Sequence, residues 1–363
     1  MTGMLLITGG AGFIGSHVVE AALGAGMRVR VLDSLRPDVH PVRPDGWTPT
    51  AVCGDAEFLV GDVTDPSVAA RAVRGTDAVL HLAAKVGLGV DFSDAPDYMH
   101  TNASGTAVLL RAMTRAGVSR FVLASSMVVY GAGVSCDERG RLATPHRTAA
   151  DLAAGRFEPV SPRTGSPVSP ALTGEDDGTD PRNVYAASKL AQEHLAAAWA
   201  RETGGRAALL RYHNVYGPRM PRDTPYAGVA AIFRSSLAAG RAPQVFEDGG
   251  QRRDFVHVRD VAAANLAALA WTQDPRASAP PARAFNIGSG SPRTVGDLAD
   301  ALAGALGGPA PQIAGGYRLG DVRHITASVT RARYELDWRA EIDFADGIRE
   351  LASTRFRRPV PPP

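Results

Sequence analysis

An apolar run, Met4-Leu5-Leu6-Ile7, passes directly into Thr8-Gly9-Gly10-Ala11-Gly12-Phe13-Ile14-Gly15 and then into a helical stretch. Few chain segments constrain a fold more. Gly9 permits the tight turn, Gly12 lets the backbone approach a pyrophosphate, and Gly15 lets the new helix pack closely on the sheet. Free N–H groups at the helix start, from Phe13 onward, then face the anion. In a strand–turn–helix setting this pattern predicts a dinucleotide site. Asp33 ends the second apolar run, 18 residues after Gly15. A carboxylate there accepts bonds from ribose hydroxyls and repels a 2′-phosphate, so NAD is expected over NADP; the nearby Arg36 softens that preference.

The pattern of the first half agrees. Short apolar runs at 4–7, 28–32, 57–60, 78–82 and 120–125 read as buried strands, with helical stretches near 13–25, 66–73 and 103–116 between them. Strand and helix in alternation predict an α/β fold: a doubly wound parallel Rossmann sheet with a smaller C-terminal substrate-binding lobe. The expected division is 1–213 for the NAD-binding domain, with 254–288 returning to it, and 214–355 for the lobe. Residues 131–182, rich in Pro, Gly, Ser, Thr and Asp, interrupt the alternation. They are either a tolerated surface insertion or an active-site flap, with one short helix at 148–155. The tail 356–363 reads as disordered.

Composition closes off other classes. A net charge of +2 over 363 residues points to neither nucleic acid nor a membrane surface, and no apolar run approaches a membrane span. The N-terminus reads straight into a strand, so no signal peptide is expected, and two cysteines rule out a disulfide framework; the expected home is the cytoplasm. Cys136 and His146 fall short of a tetrahedral set, so no metal is expected.

Two lysines stand against 37 arginines. One, Lys189, lies four residues after Tyr185 at the start of a long helix spanning about 183–203, so both share a helix face. An ammonium there is expected to lower the phenol pKa and make Tyr185 a usable base. Ser125-Ser126 end the fifth strand and offer a hydroxyl to the reacting oxygen. Gly61-Asp62-Val63 and His81-Leu82-Ala83-Ala84 follow the third strand and end the fourth, where open α/β sheets bind ligands.

Together TGGAGFIG, GDV, HLAA, the serine before VVYG, and YAASK resemble the extended short-chain dehydrogenase/reductase family of nucleotide-sugar epimerases and dehydratases. The resemblance spans nearly the whole chain except 131–182. It implies Ser126, Tyr185 and Lys189 as the catalytic trio, with Tyr185 and Lys189 also at the nicotinamide ribose. It implies Asp62 and Val63 at the adenine, Asn102 near the active site, and Lys85 close to a cofactor-contacting position. For the substrate it implies Asn214, Arg253 and Arg318 at the diphosphate, Asp321 at the nucleoside ribose, Phe246 beside them, and Ser126 at the sugar. Guanidinium suits bidentate phosphate binding. Where family dehydratases carry an Asp-Glu pair, and the uronate decarboxylases a Glu, this chain has Met127-Val128, which disfavours elimination. The expected activity is a nucleotide-sugar 4-epimerase with tightly held NAD. The alternatives are an NAD(P)H-dependent 4-keto-sugar reductase and a non-catalytic NAD sensor, the latter having no use for a base. His257 is read as structural. Apolar faces at 103–116 and 183–200, the second through Leu190, Leu195 and Trp199, imply a four-helix homodimer contact, or else simply cover the sheet.

Overall fold

Seven strands pair into one parallel sheet, five of them at the apolar runs of the first half. They are β1 (Met4–Thr8), β2 (Arg28–Asp33), β3 (Glu57–Val60), β4 (Thr76–His81), β5 (Arg120–Ser126), β6 (Arg206–Tyr212) and β7 (Ala282–Ile287). The computed structural model describes residues 3–37, 53–87, 92–221, 228–273, 280–318 and 320–354; the tail at 356–363 lies outside them. In space the strands run β3-β2-β1-β4-β5-β6-β7. The order reverses between β1 and β4, which opens a crevice at the carboxyl ends of those strands. The fold is the expected doubly wound Rossmann sheet.

Each face of the sheet carries its own core. On one, Val18, Val19 and Ala22 of α1 (Phe13–Gly24) meet Val261, Ala264 and Ala268 from a later helix over Ile7, Leu80 and Val122. On the other, α2 (Pro66–Val73) and α3 (Gly105–Ala116) pack with α4 (Val184–Thr203) over Leu6, Val79 and Phe121. Local chemistry sets the ends of these helices. Asp65 caps α2 ahead of Pro66, and Gly117 closes α3 at φ 72°. Leu195 and Trp199 of α4 join the second core, and the Trp199 indole donates to Thr114 Oγ1 at 3.0 Å, so these two side chains cover the sheet.

A second lobe has its own apolar centre. α5 (Val229–Ala238), α7 (Val295–Leu306) and α8 (Phe344–Ser353) enclose Phe233, Leu237, Leu298, Leu302 and Ile348. α6 (Val258–Trp271) lies between α5 and α7 in sequence but belongs to the sheet's first face.

Residues 131–182 carry more order than their composition suggests. Val134–Asp137 pairs antiparallel with both Gly140–Ala143 and Ser169–Pro170, and a helix at Ala149–Ala153 falls inside the expected range. The segment begins and ends at one point: Asp180 N donates to Val129 O at 2.9 Å, beside Gly131. Its middle is fastened to the second lobe. Arg323 bonds Glu158 at 2.7 and 2.9 Å and Glu247 at 2.9 Å, while Arg147 bonds Glu247 at 2.7 Å and Asp321 O at 2.6 Å.

Candidate active site

The glycine turn is a crossing of two strand ends. A Cβ on Gly9, at φ 72°, would sit 2.6 Å from Ala83 N, and one on Gly15 would sit 2.0 Å from Gly9 O. Gly12 differs: a Cβ there would meet only Gly9 O, at 3.2 Å, so this side of the turn is open. Gly12 also starts α1 without any side-chain cap, which leaves first-turn N–H groups at Phe13, Ile14 and Gly15 without that partner. That cradle fits the pyrophosphate of a dinucleotide. Buried Asp33 stands next to it. Its two oxygens accept from Ala11 N at 3.0 Å and Leu35 N at 2.9 Å, which fixes the carboxylate beside the glycine turn, where it suits a ribose hydroxyl. Asp62 is exposed and held by Thr64, whereas the Val63 side chain points into the second core. Leu82 and Ala83 line opposite faces of the sheet, with Ala84 continuing from them toward Lys85.

Beyond β4 the chain turns through Lys85, whose backbone N–H donates to Asn102 Oδ1 at 2.8 Å. Asn102 is fully buried in a π-helical turn, Met99–Ser104, that leads into α3; such turns concentrate at functional sites. Its amide nitrogen donates to Lys85 O and to Ser188 Oγ, which ties this turn to α4. The Lys85 ammonium bonds Asp97 at 2.6 Å and Asp94 at 3.3 Å. Burial opposes the charge, but these carboxylates win and hold the Lys85 pKa above its usual value. Tyr98, absent from the sequence reading, packs its ring 6.0 Å from that of Tyr185.

Asn183 starts α4 by accepting a bond from Ala186 N at 2.8 Å, which fixes Tyr185 in the first turn. Ser126, at the end of β5, starts the short 3-10 turn Met127–Tyr130. Burial pushes the Tyr185 phenol up to about 12, with the Ser126 hydroxyl pulling the other way. The expected lowering by Lys189 is not what the structure has. The Lys189 ammonium turns instead to Ala124 O, at 2.8 Å, and lies 6.0 Å from the centre of the Tyr185 ring. Burial drives Lys189 down to about 7, against the opposing pull of Glu193. Spacing on a helix face put the two side chains near each other, and burial of both opposes their charged forms.

The lobe residues gather about Asp321. Arg253 donates to Val322 O at 2.6 Å and to Arg323 O at 2.9 Å, and no carboxylate among the described residues pairs with it. Burial lowers it to about 10, with Asp321 the leading opposing charge. Arg318 lies over the Phe246 ring at 5.3 Å. Asn214 sits beside Arg253 in space, its N–H donating to Asp254 O at 2.9 Å, and its buried Oδ1 has no protein partner among the described residues. A buried polar atom left open this way is suited to a ligand. His257 caps α6 and packs edge-on to Tyr216, while burial lowers its pKa to about 4. Among the described residues no group of His, Cys, Asp or Glu could hold a metal.

A model of the "NAD dependent epimerase/dehydratase family" matches residues 5–288. A dTDP-L-rhamnose 4-epimerase of Burkholderia thailandensis is 34% identical over 96% of this chain and 93% of its own. The Thermotoga maritima UDP-glucose 4-epimerase, solved with UDP-glucose, superposes with a TM-score of 0.74 at 27% identity, covering 96% of this chain and 97% of that one. The Thermus thermophilus UDP-glucose 4-epimerase, solved with NAD, gives 0.70 at 28% identity over 96% and 97%. The family model spans residues 5–288 and these relatives match nearly the full chain, so the chain belongs to the NAD-dependent epimerase/dehydratase family.

Proposed function

We propose that the protein is a nucleotide-sugar 4-epimerase that keeps its NAD throughout the cycle, working in the cytoplasm as a homodimer. The observation that carries the reading is the turn after Ser126. Met127–Tyr130 bears no acidic residue beside the Tyr185 phenol, so the site has a proton acceptor for a sugar hydroxyl but no carboxyl there to drive elimination. NAD, when bound, supplies the acceptor and donor of a hydride. Tyr185 takes and returns the hydroxyl proton, and Ser126 bonds the same sugar oxygen. Lys189, one helical turn past Tyr185, suits the nicotinamide ribose. Arg253 and Arg318 suit the diphosphate, which stays anchored while the sugar presents either face. Asn214, Phe246 and Asp321 complete that end, and Asp33, the glycine cradle, Asn102 and Lys85 complete the other. The nucleotide sugar is either a UDP-hexose or a dTDP-6-deoxyhexose.

The test is an incubation of purified protein with candidate nucleotide sugars and no added cofactor. Two C4 epimers should interconvert without net change in NADH absorbance, and deuterium placed at C4 should be retained in product. Stoichiometric NAD(P)H consumption with a 4-keto sugar, and no epimer interconversion, would establish a reductase instead.

A further inference from the structure

Two cations reach one carboxylate from opposite sides of the cofactor crevice. Arg36 follows β2, three residues past Asp33, and grips Asp97 with both terminal nitrogens, at 3.0 and 2.9 Å. Lys85 follows β4 and places its ammonium 2.6 Å from the same Asp97, against the face of Tyr98 at 4.9 Å. β2 and β4 are not neighbours in the sheet. β1 and its glycine turn lie between them, so the Arg36–Asp97–Lys85 bridge passes from one side of the strand-order reversal to the other. Thr101, one helical turn on, donates to Asp97 Oδ1 at 3.3 Å and steadies the carboxylate. Asp97 stands next to Tyr98, whose ring packs on Tyr185, so the same short helix touches both the bridge and the reacting end.

We infer that Asp97 is the clasp of a polar strap, Arg36–Asp97–Lys85, that closes over the dinucleotide crevice and slows release of NAD. The strap explains how a site with an open side at Gly12 retains a cofactor: adenosine-side and nicotinamide-side segments cannot part without breaking bonds to one carboxylate. It also occupies Arg36, the cation otherwise available to a 2′-phosphate. The Arg36 and Asp97 side chains are 32% and 37% exposed, so that pair is modest and sensitive to salt.

The experiment measures NAD release from the holoprotein, by chasing bound NAD with labelled NAD and separating free from bound by rapid gel filtration. No sugar is present, so the result stands whether or not the protein is a 4-epimerase. Asp97→Asn and Arg36→Gln should each speed release by roughly fivefold to twentyfold, as loss of one or two partly exposed ion pairs allows, and the double variant should be no faster than the faster single variant. Raising salt should speed release from wild type more than from either variant. If Asp97→Asn does not fold, Arg36→Gln carries the same test. Unchanged release in the folded variants would overturn the strap. So would unchanged NAD release combined with new binding of NADP, because Asp97 would then act only by keeping Arg36 from a 2′-phosphate.

Discussion

Glu193 and Arg211 face each other in the interior, Oε1 2.9 Å from Nε and Oε2 2.7 Å from Nη2, with both side chains at most 7% exposed. Glu193 is one helical turn past Lys189. It also accepts the Ser125 hydroxyl, next to Ser126, while Arg211 bonds the Tyr130 hydroxyl at 2.8 Å. One ion pair therefore braces the strand and helix that present Ser126, Tyr185 and Lys189. Removing one partner leaves a buried charge uncompensated, so Glu193→Leu should cost about 3–5 kcal/mol of stability. Glu193→Leu combined with Arg211→Met should cost less than Glu193→Leu alone. Urea unfolding of the three proteins measures both, and a double variant weaker than the single would contradict the account.

The Tyr185 hydroxyl should matter to turnover and little to folding. Tyr185→Phe keeps the ring against Tyr98. It should bind NAD and keep its melting temperature, yet lose about two to four decades of turnover. Near-wild-type activity in that variant would remove Tyr185 from the chemistry.

Lys189 makes a pH-dependent prediction of stability. Its folded pKa is lowered to about 7 by burial, from 10.5. Between those values the unfolded chain binds a proton that the folded chain does not, so this group's contribution to stability rises with pH there. Below about 7 both states are charged and the full cost of burying the ammonium remains. In cofactor-free protein, Lys189→Met should therefore be more stable than wild type near neutrality, with the gap narrowing toward pH 10. Denaturant midpoints across that range give the answer; a gap that widens with pH has the wrong sign.

Assembly tests the outer surfaces of α3 and α4. Leu195 and Trp199 already cover the sheet, so a dimer must use the rest of that face. Light scattering at micromolar concentration should give twice the chain mass. A monomer would mean these helices serve the core alone.

The sheet was legible because each buried strand is a short apolar run and each ligand-facing strand end carries a polar or glycine break. Asp33, Ser126 and the turn at Gly9 sit where those breaks are. Three features could not be read this way. The insertion owes its order to ion pairs such as Arg323–Glu158, between residues 165 positions apart, which no local periodicity encodes. Asp97 looks like any helix-start carboxylate until Arg36 and Lys85 are seen to converge on it. Glu193 did leave a trace, four residues after Lys189 on the same helix face, but a buried partner was needed to give it meaning.

The meeting of Val129 and Asp180 has one more consequence. The insertion leaves and rejoins the frame where these two residues meet, and near its end it returns to the sheet, Glu175 accepting from Asn286 N at 2.8 Å and Thr173 O from Asn286 Nδ2 at 2.9 Å, so the entropy of closing a longer or shorter stretch ahead of Thr173 changes only slowly with its size. Evolution, or a protein engineer, can therefore exchange the stretch ahead of Thr173 while the Rossmann frame and its helix of Tyr185 and Lys189 stay put. Variation among related enzymes should then collect between Gly131 and Leu172 as exchangeable cassettes, each carrying its own staple to the second lobe.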